Sequence, residues 1–348
     1  MPRSACHGAR GRRFESAMLH RKLLNSDLAL ESGWYPAGGT LSVQQRQLGR
    51  DGPSVPVIGF GAWPIGGGTG TIGDRDAIKT LHHAFEQGVT LVDTAEAYRT
   101  SEELVGRALG TWSGPRDRIF VATKVRGDDL SAGHIAEAAE RSLRRLGVET
   151  IDLLQAHSWD AHHPIDETMQ AFERLVTSGK VRYVGVSNFD VPQMEAARRA
   201  WSFQSLQPRY NLLDRGIEAA ILPYCQQRDI GVLAHSPLAK GLFSGRYEPG
   251  HAFAPDDERA QMARFQGEEF SQVLAWTAPL SRWAEERGHT LLELAIAWVL
   301  AHPAVTVCLC GGKSPEQVDD HARAASWHLS AEDRREIDRL LGSSGPTA

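Results

Sequence analysis

Along the chain the hydrophobic pattern switches repeatedly between two periods. Short runs rich in β-branched and small apolar residues occur at 57–61, 90–94, 118–123, 151–157, 181–187, 203–207, 231–236 and 304–309. Each has the length of a buried strand. Between them, residues 75–86, 131–146, 168–178 and 216–227 carry small or apolar residues at helical spacing, as Ile135, Ala138, Ser142 and Leu146 illustrate. Strand alternating with helix predicts an α/β fold with parallel pairing and right-handed crossovers. Eight such units in roughly 300 residues predict a closed (β/α)8 TIM barrel rather than an open sheet. Ahead of the first run, the stretch RQLGRDGPSVPVIG holds the turn pair Asp51-Gly52 between apolar residues. It predicts a β-hairpin positioned to cover the barrel bottom.

Residues 1–43 show neither period. Arg3, Arg10, Arg12, Arg13 and Arg21 face few acidic residues there, and no apolar run resembles a secretory signal. The reading is a disordered N-terminal extension, or translated sequence upstream of a later start such as Met18, dispensable for the fold in either case and followed by one barrel domain over 44–348. Hydrophobic content of 41% and a formal net charge of −5 describe a globular domain with mixed charge. That balance argues against nucleic acid or an anionic membrane as the main partner, since both reward a basic face. Cys6, Cys225, Cys308 and Cys310 form no CxxC pair, so neither a disulfide framework nor a zinc site is expected, and a reducing cytoplasm fits.

Gly68, Gly70 and Gly73 spell GxGxxG, with Asp93 twenty residues beyond. A dinucleotide fingerprint must open directly from a strand onto a helix. Here Trp63-Pro64 intervenes after the first strand, so the glycines read as a loop over the barrel mouth.

Barrel enzymes carry their chemistry where strands end and βα loops begin. The second strand delivers Asp93 with Tyr98 in its loop, the third Lys124, the fourth His157, the fifth Ser187 and Asn188, the sixth Gln207 and the seventh Ser236. Alone, each has an ordinary structural explanation, such as a buried ion pair or a satisfied core histidine. Together they bring a phenol, a cation, a carboxylate and an imidazole to adjacent strands, a set costly to bury without a purpose. A lysine ammonium beside a phenol favours the phenolate and predicts a more acidic Tyr98. Asp93 would keep that ammonium charged, and His157 could donate a hydrogen bond to a carbonyl oxygen.

With those residues in place, the chain resembles the aldo-keto reductases. LVDTAEAY, VATK and LLQAH carry the resemblance, extended by GKVRYVGVSNF, SLQPRYNLLDR, LAHSPLAKGL and CGGKSPEQVDD over residues 46–341. It implies NADPH-dependent reduction of an aldehyde or ketone, with Tyr98 as general acid, Asp93 and Lys124 tuning it and His157 orienting substrate. It also implies NADPH held in extended form. Ser187, Asn188 and Gln207 would take the nicotinamide carboxamide, and Ser236, Leu238 and Lys240 the pyrophosphate. Lys313 and Ser314, beside the Gly311 backbone, would hold the 2′-phosphate, with Gln317 and Asp320 toward the adenosine. A cation and a hydroxyl at a helix N-terminus suit a phosphate on physical grounds as well. Trp63 and Trp159 would wall the substrate pocket.

Two departures stand out. His235 replaces an aromatic that stacks on nicotinamide in many relatives, and Gln317 and His321 stand where other branches carry arginine and asparagine. A non-catalytic NADPH-binding regulatory protein on the same barrel is the main rival reading. A metal-dependent hydrolase using His157, His162 and His163 is disfavoured because two of the three fall in one loop. A short-chain dehydrogenase is disfavoured because no tyrosine is followed by lysine four residues on.

Overall fold

The computed structural model describes residues 43–342. Of the expected N-terminal extension, only Val43 falls within that range, and it is buried in the core; the rest of the expectation for 1–43 lies outside the described residues. Strands β1 (Gln45–Gln47) and β2 (Ser54–Pro56) pair antiparallel around the Asp51-Gly52 turn, as the sequence predicts.

Eight parallel strands then close on themselves: β3 (Ile58–Gly61), β4 (Leu91–Asp93), β5 (Phe120–Val125), β6 (Ile151–Ala156), β7 (Val181–Ser187), β8 (Ser205–Gln207), β9 (Gly231–His235) and β10 (Val305–Cys310), with β10 pairing back onto β3. Between them run α1 (Asp74–Glu86), α2 (Ser101–Thr111), α3 (Ala132–Leu146), α4 (Ile165–Thr177), α5 (Val191–Ala200), α6 (Ile221–Arg228), α7 (Gly267–Glu285) and α8 (Leu291–Leu300). After β10 come α9 (Pro315–Ala324) and α10 (Ala331–Leu341). The element α6 starts later than the predicted 216. Pro223 has no N–H and its ring clashes with a carbonyl four residues earlier, so the helix cannot extend far upstream of it. Among the described residues no helix is long and apolar enough to cross a membrane.

Strand periodicity divides the apolar residues between two cores. Val92, Val121, Leu154, Val184, Leu206 and Cys308 face outward and join the helix layer. Leu91, Ala122, Leu153, Leu233, Val307 and Leu309 face inward, where Leu48 and Val55 of the hairpin pack against them. The hairpin therefore plugs the barrel at the N-terminal ends of its strands. Cys308 and Cys310 share the outward face, with sulfurs 3.8 Å apart and both residues buried. Farther up the interior the same alternation replaces leucine by polar groups, and there the chemistry begins.

Candidate active site

A cleft of about 650 Å³ opens at the C-terminal ends of the strands. At its floor Lys124 Nζ donates to Asp93 Oδ1 at 2.5 Å and to the Thr94 carbonyl at 2.9 Å, and it reaches the Tyr98 hydroxyl at 3.4 Å. Asp93 and Lys124 are 3% and 1% exposed, so each depends on the other to remain charged. The second carboxylate oxygen, Asp93 Oδ2, accepts from Gln155 Nε2 at 3.1 Å and Gln207 Nε2 at 2.8 Å.

The loop carrying Tyr98 is fixed at both ends. The Tyr98 backbone N–H donates to Ala95, and its carbonyl accepts from Ser101. Glu96 accepts from the Arg126 backbone at 2.7 Å and from Arg141 at 3.2 Å. The Tyr98 ring stands edge-on to Trp63 and to His157, with centroids 4.9 and 5.6 Å away. Trp63 is held in turn, since its Nε1 donates to Glu258 at 2.8 Å.

Burial is the largest influence on Tyr98 and raises its pKa; Lys124 opposes that and is outweighed. The expected acidification by Lys124 is therefore present but does not win, because a phenolate loses more solvation here than one ammonium returns. Tyr98 therefore stays protonated at neutral pH and has a proton it could donate. For Lys124 the balance is reversed: burial works against the ammonium, but Asp93 and Tyr98 together raise its pKa. Burial and the Lys124 charge push His157 down to about 4, so its imidazole is neutral at pH 7 and offers one N–H.

Beside this group, Ser187 donates to the Gln207 carbonyl at 2.8 Å. Asn188 Nδ2 donates to the His157 carbonyl at 3.2 Å and to Ser187 Oγ at 3.0 Å. The Asn188 Oδ1 is therefore an acceptor, and it faces His235 Nε2 at 3.1 Å. That contact fixes the ring proton on Nε2, leaving Nδ1 to accept from the Ser236 hydroxyl at 3.0 Å. The assignment requires a neutral ring, and burial with the charges of Lys124 and Arg209 lowers the His235 pKa to about 3. Asn188 and Ser236 both adopt left-handed backbone, φ 59° and 57°, directly after β7 and β9. Such strain in residues other than glycine concentrates at sites where side chains must be aimed.

Toward the far end of the cleft, Lys240 donates to Glu258 at 2.6 Å. The Lys313 ammonium donates to the carbonyls of Thr69 and Gly70, binding the glycine loop to the turn after β10. That loop also pairs with the segment after β9 through Thr69 and Asp257, so the glycines do form an arch at the barrel mouth. Gly311 lets it approach: a Cβ there would stand 2.7 Å from Pro64 Cγ. The Gln317 side chain accepts from the Lys313 backbone at 2.7 Å, while Ser314 caps α9 by accepting from the Gln317 N–H.

Trp63, Asp93, Tyr98, His157, Ser187, Asn188, Gln207, His235, Ser236, Leu238, Lys240, Gly311, Lys313 and Gln317 thus line one cleft. Lys124 lies just beneath it. Trp159, Ser314 and Asp320 are not in its lining: Trp159 packs edge-on to Phe189, and Asp320 pairs with Arg323 at 2.6 Å. Of the loop histidines, His163 Nδ1 meets Asp160 at 2.6 Å, away from His157. Sequence reasoning missed Gln155, Arg209, Arg246, Arg259 and Glu258. A signal existed for Gln155, because strand alternation from Leu153 through 155 to His157 puts all three inside the barrel.

Comparison with known proteins agrees with this architecture. Residues 57–341 match the Aldo/keto reductase family. The chain is similar to aldo-keto reductase YhdN of Bacillus subtilis, 36% identical over 311 residues that span 86% of this chain and 94% of that one. Among solved structures it resembles the glycerol dehydrogenase of Gluconobacter oxydans, at 35% identity and a TM-score of 0.79, covering 87% and 96% of the two chains. It also resembles an aldo/keto reductase from Klebsiella pneumoniae in complex with NADP and acetate, at 32% identity and a TM-score of 0.70, covering 86% and 96%. On the extent of these matches and the shared closed barrel, the chain belongs to the aldo/keto reductase family.

Proposed function

We propose that this oxidoreductase reduces aldehydes or ketones to alcohols with NADPH. The observation that carries the reading is the buried Asp93–Lys124 pair reaching a protonated Tyr98 beside a neutral His157, all at one cleft. The residues present fit an extended dinucleotide. Hydrogen-bonding groups of Ser187, Asn188 and Gln207 suit a carboxamide at one end, and Lys240, Arg246 and Lys313 supply cations toward the other. NADP-bound relatives support the same cofactor.

When bound, the reduced nicotinamide supplies a hydride to the carbonyl carbon. The neutral His157 donates its N–H to the carbonyl oxygen and fixes its direction. Tyr98 gives its hydroxyl proton to that oxygen as negative charge develops on it. Lys124 stabilises the phenolate left behind, and Asp93 keeps Lys124 charged throughout. Positioned proton donation of this kind contributes roughly 100- to 10,000-fold. Trp63 walls the substrate side through its edge contact with Tyr98. We assign Trp159, edge-on to Phe189, to the substrate side as well, and Ser314 and Asp320 a place at the adenosine end. A cytoplasmic location agrees with Cys225, Cys308 and Cys310, which among the described residues are buried free thiols.

The test is NADPH and NADH oxidation measured in parallel across a panel of aldehydes and ketones. Turnover with NADPH on at least one class of carbonyl is expected. Tight NADPH binding with no turnover on the whole panel would make the protein a nucleotide sensor instead.

A further inference from the structure

We propose that Gln155, which touches neither substrate nor cofactor, is a positioning residue. Together with Asp93 it fixes which way the Gln207 amide faces, and through that shared pairing carboxamide recognition is joined to the counter-ion of the proton donor. The inference rests on the NADPH reading above.

Gln155 lies on β6 inside the barrel and is fully buried. In register it stands beside Lys124 on β5 and Gly185 on β7. Interior barrel positions are ordinarily filled by branched apolar side chains, and a buried amide is costly unless its groups are paired. The fold also keeps space for it. A Cβ on Gly185 would stand 3.0 Å from Gln155 Cγ and 2.4 Å from Ser205 Oγ, so a larger residue on β7 would displace it.

The hydrogen bonds fix both amides. Asp93 Oδ2 can only accept, so Gln155 and Gln207 must each turn an NH2 group toward it. Gln155 Oε1 is then free to accept, and it faces Gln207 Nε2 at 3.2 Å. Both N–H groups of Gln207 are thereby used inside the barrel. What Gln207 leaves for the cleft is its carbonyl oxygen, an acceptor for the N–H of a carboxamide. Without Gln155, one Gln207 N–H loses its partner, the bond to Asp93 Oδ2 alone holds this orientation, and Asp93 Oδ2 keeps a single amide donor.

The experiment compares binding of NADPH with that of its reduced 3-acetylpyridine analogue, in which a methyl ketone replaces the carboxamide and no N–H is present. Both are titrated by fluorescence against the wild type, Gln155→Leu and Gln155→Glu. The wild type should prefer NADPH by about 10-fold, the scale of one buried hydrogen bond. Gln155→Leu leaves Gln207 held by Asp93 alone, so it should weaken NADPH several-fold and leave the analogue nearly unchanged, and the preference should narrow clearly. Gln155→Glu keeps an oxygen for Gln207 and, once ionised, loses the donor to Asp93. It should keep the cofactor preference while turnover falls, and the fall should grow as pH rises and the introduced carboxyl ionises against Asp93. A purely structural role predicts equal weakening of both nucleotides in Gln155→Leu and no such pH dependence in Gln155→Glu. Equal weakening, or a preference undiminished in Gln155→Leu, overturns the inference and leaves the cofactor reading standing. If Gln155→Leu does not fold, the Gln155→Glu profile decides, and a loss of turnover independent of pH overturns the proposal. A wild type that binds no NADPH overturns both readings.

Discussion

The Tyr98 hydroxyl sits 3.4 Å from Lys124 Nζ, and its burial keeps it protonated until a base forms beside it. Tyr98→Phe removes that proton and little else, because the ring contacts with Trp63 and His157 remain. Turnover of an aliphatic aldehyde should fall by at least about 100-fold while the NADPH dissociation constant is nearly unchanged. Unchanged turnover in a steady-state assay removes Tyr98 from the role of acid. At the other end of the cleft, burial and the Arg259 charge lower the Lys313 pKa, with Asp257 opposing. Its ammonium donates to two loop carbonyls, bonds that a 2′-phosphate would have to replace. A charge-assisted contact to a 2′-phosphate is worth roughly 1.5 to 3 kcal/mol, or about 10- to 100-fold in affinity. Lys313→Ala should weaken NADPH by that factor, leave NADH nearly unchanged, and show a smaller NADPH effect at high salt. Equal loss for both nucleotides in a fluorescence titration would mean that Lys313 holds the loop and does not read the phosphate.

Among elements, the β1–β2 hairpin separates stability from chemistry. Leu48 is fully buried against Leu91, Leu153 and Leu233 at the barrel bottom, opposite the cleft. Large-to-small changes at such sites cost about 2 to 5 kcal/mol. Leu48→Ala should therefore lower the urea midpoint clearly while the KM for NADPH and aldehyde stays within about twofold, since the bottom face of such barrels carries stability. A matched loss of affinity would show that the plug transmits to the site. The chain-order pattern of elements was legible because strand and helix periods differ, whereas the start of α6 was decided by Pro223, a local exclusion that a periodicity count does not weigh.

At the scale of the whole molecule, buried neutral histidines make stability depend on pH. His157 and His321 are both lowered from 6.5 to about 4, in each case chiefly by burial. Well above pH 6.5 neither group binds a proton in either state, so they contribute no slope. As pH falls from 6.5 toward 4, the unfolded chain takes up protons that the native state refuses, and stability drops. Between pH 7.5 and 5.5 each should remove on the order of 1 kcal/mol. His163, raised by its bond to Asp160, has the opposite sign: its contribution is present below 6.5 and lost as pH rises through its native value. Urea midpoints measured at the two pH values should fall on acidification, and less so in His321→Asn. An equal fall in that variant would mean that His321 titrates normally in the folded protein.

Sequence alone determined what repeats. Strand and helix periods specified a (β/α)8 barrel, the Asp51-Gly52 turn specified the plugging hairpin, and strand ends picked out Asp93, Lys124, His157, Asn188 and Gln207, because βα loops must open where strands stop. Tertiary structure decided whatever depends on distance between strands far apart in the chain. Only closure of the barrel sets Gln155 and Gln207 against Asp93, shows that burial outweighs Lys124 at the Tyr98 hydroxyl, and ties Lys313 to a loop more than 240 residues earlier. Desolvation, amide orientation and cross-loop pairing are properties of three-dimensional neighbours, and a linear pattern carries no term for them.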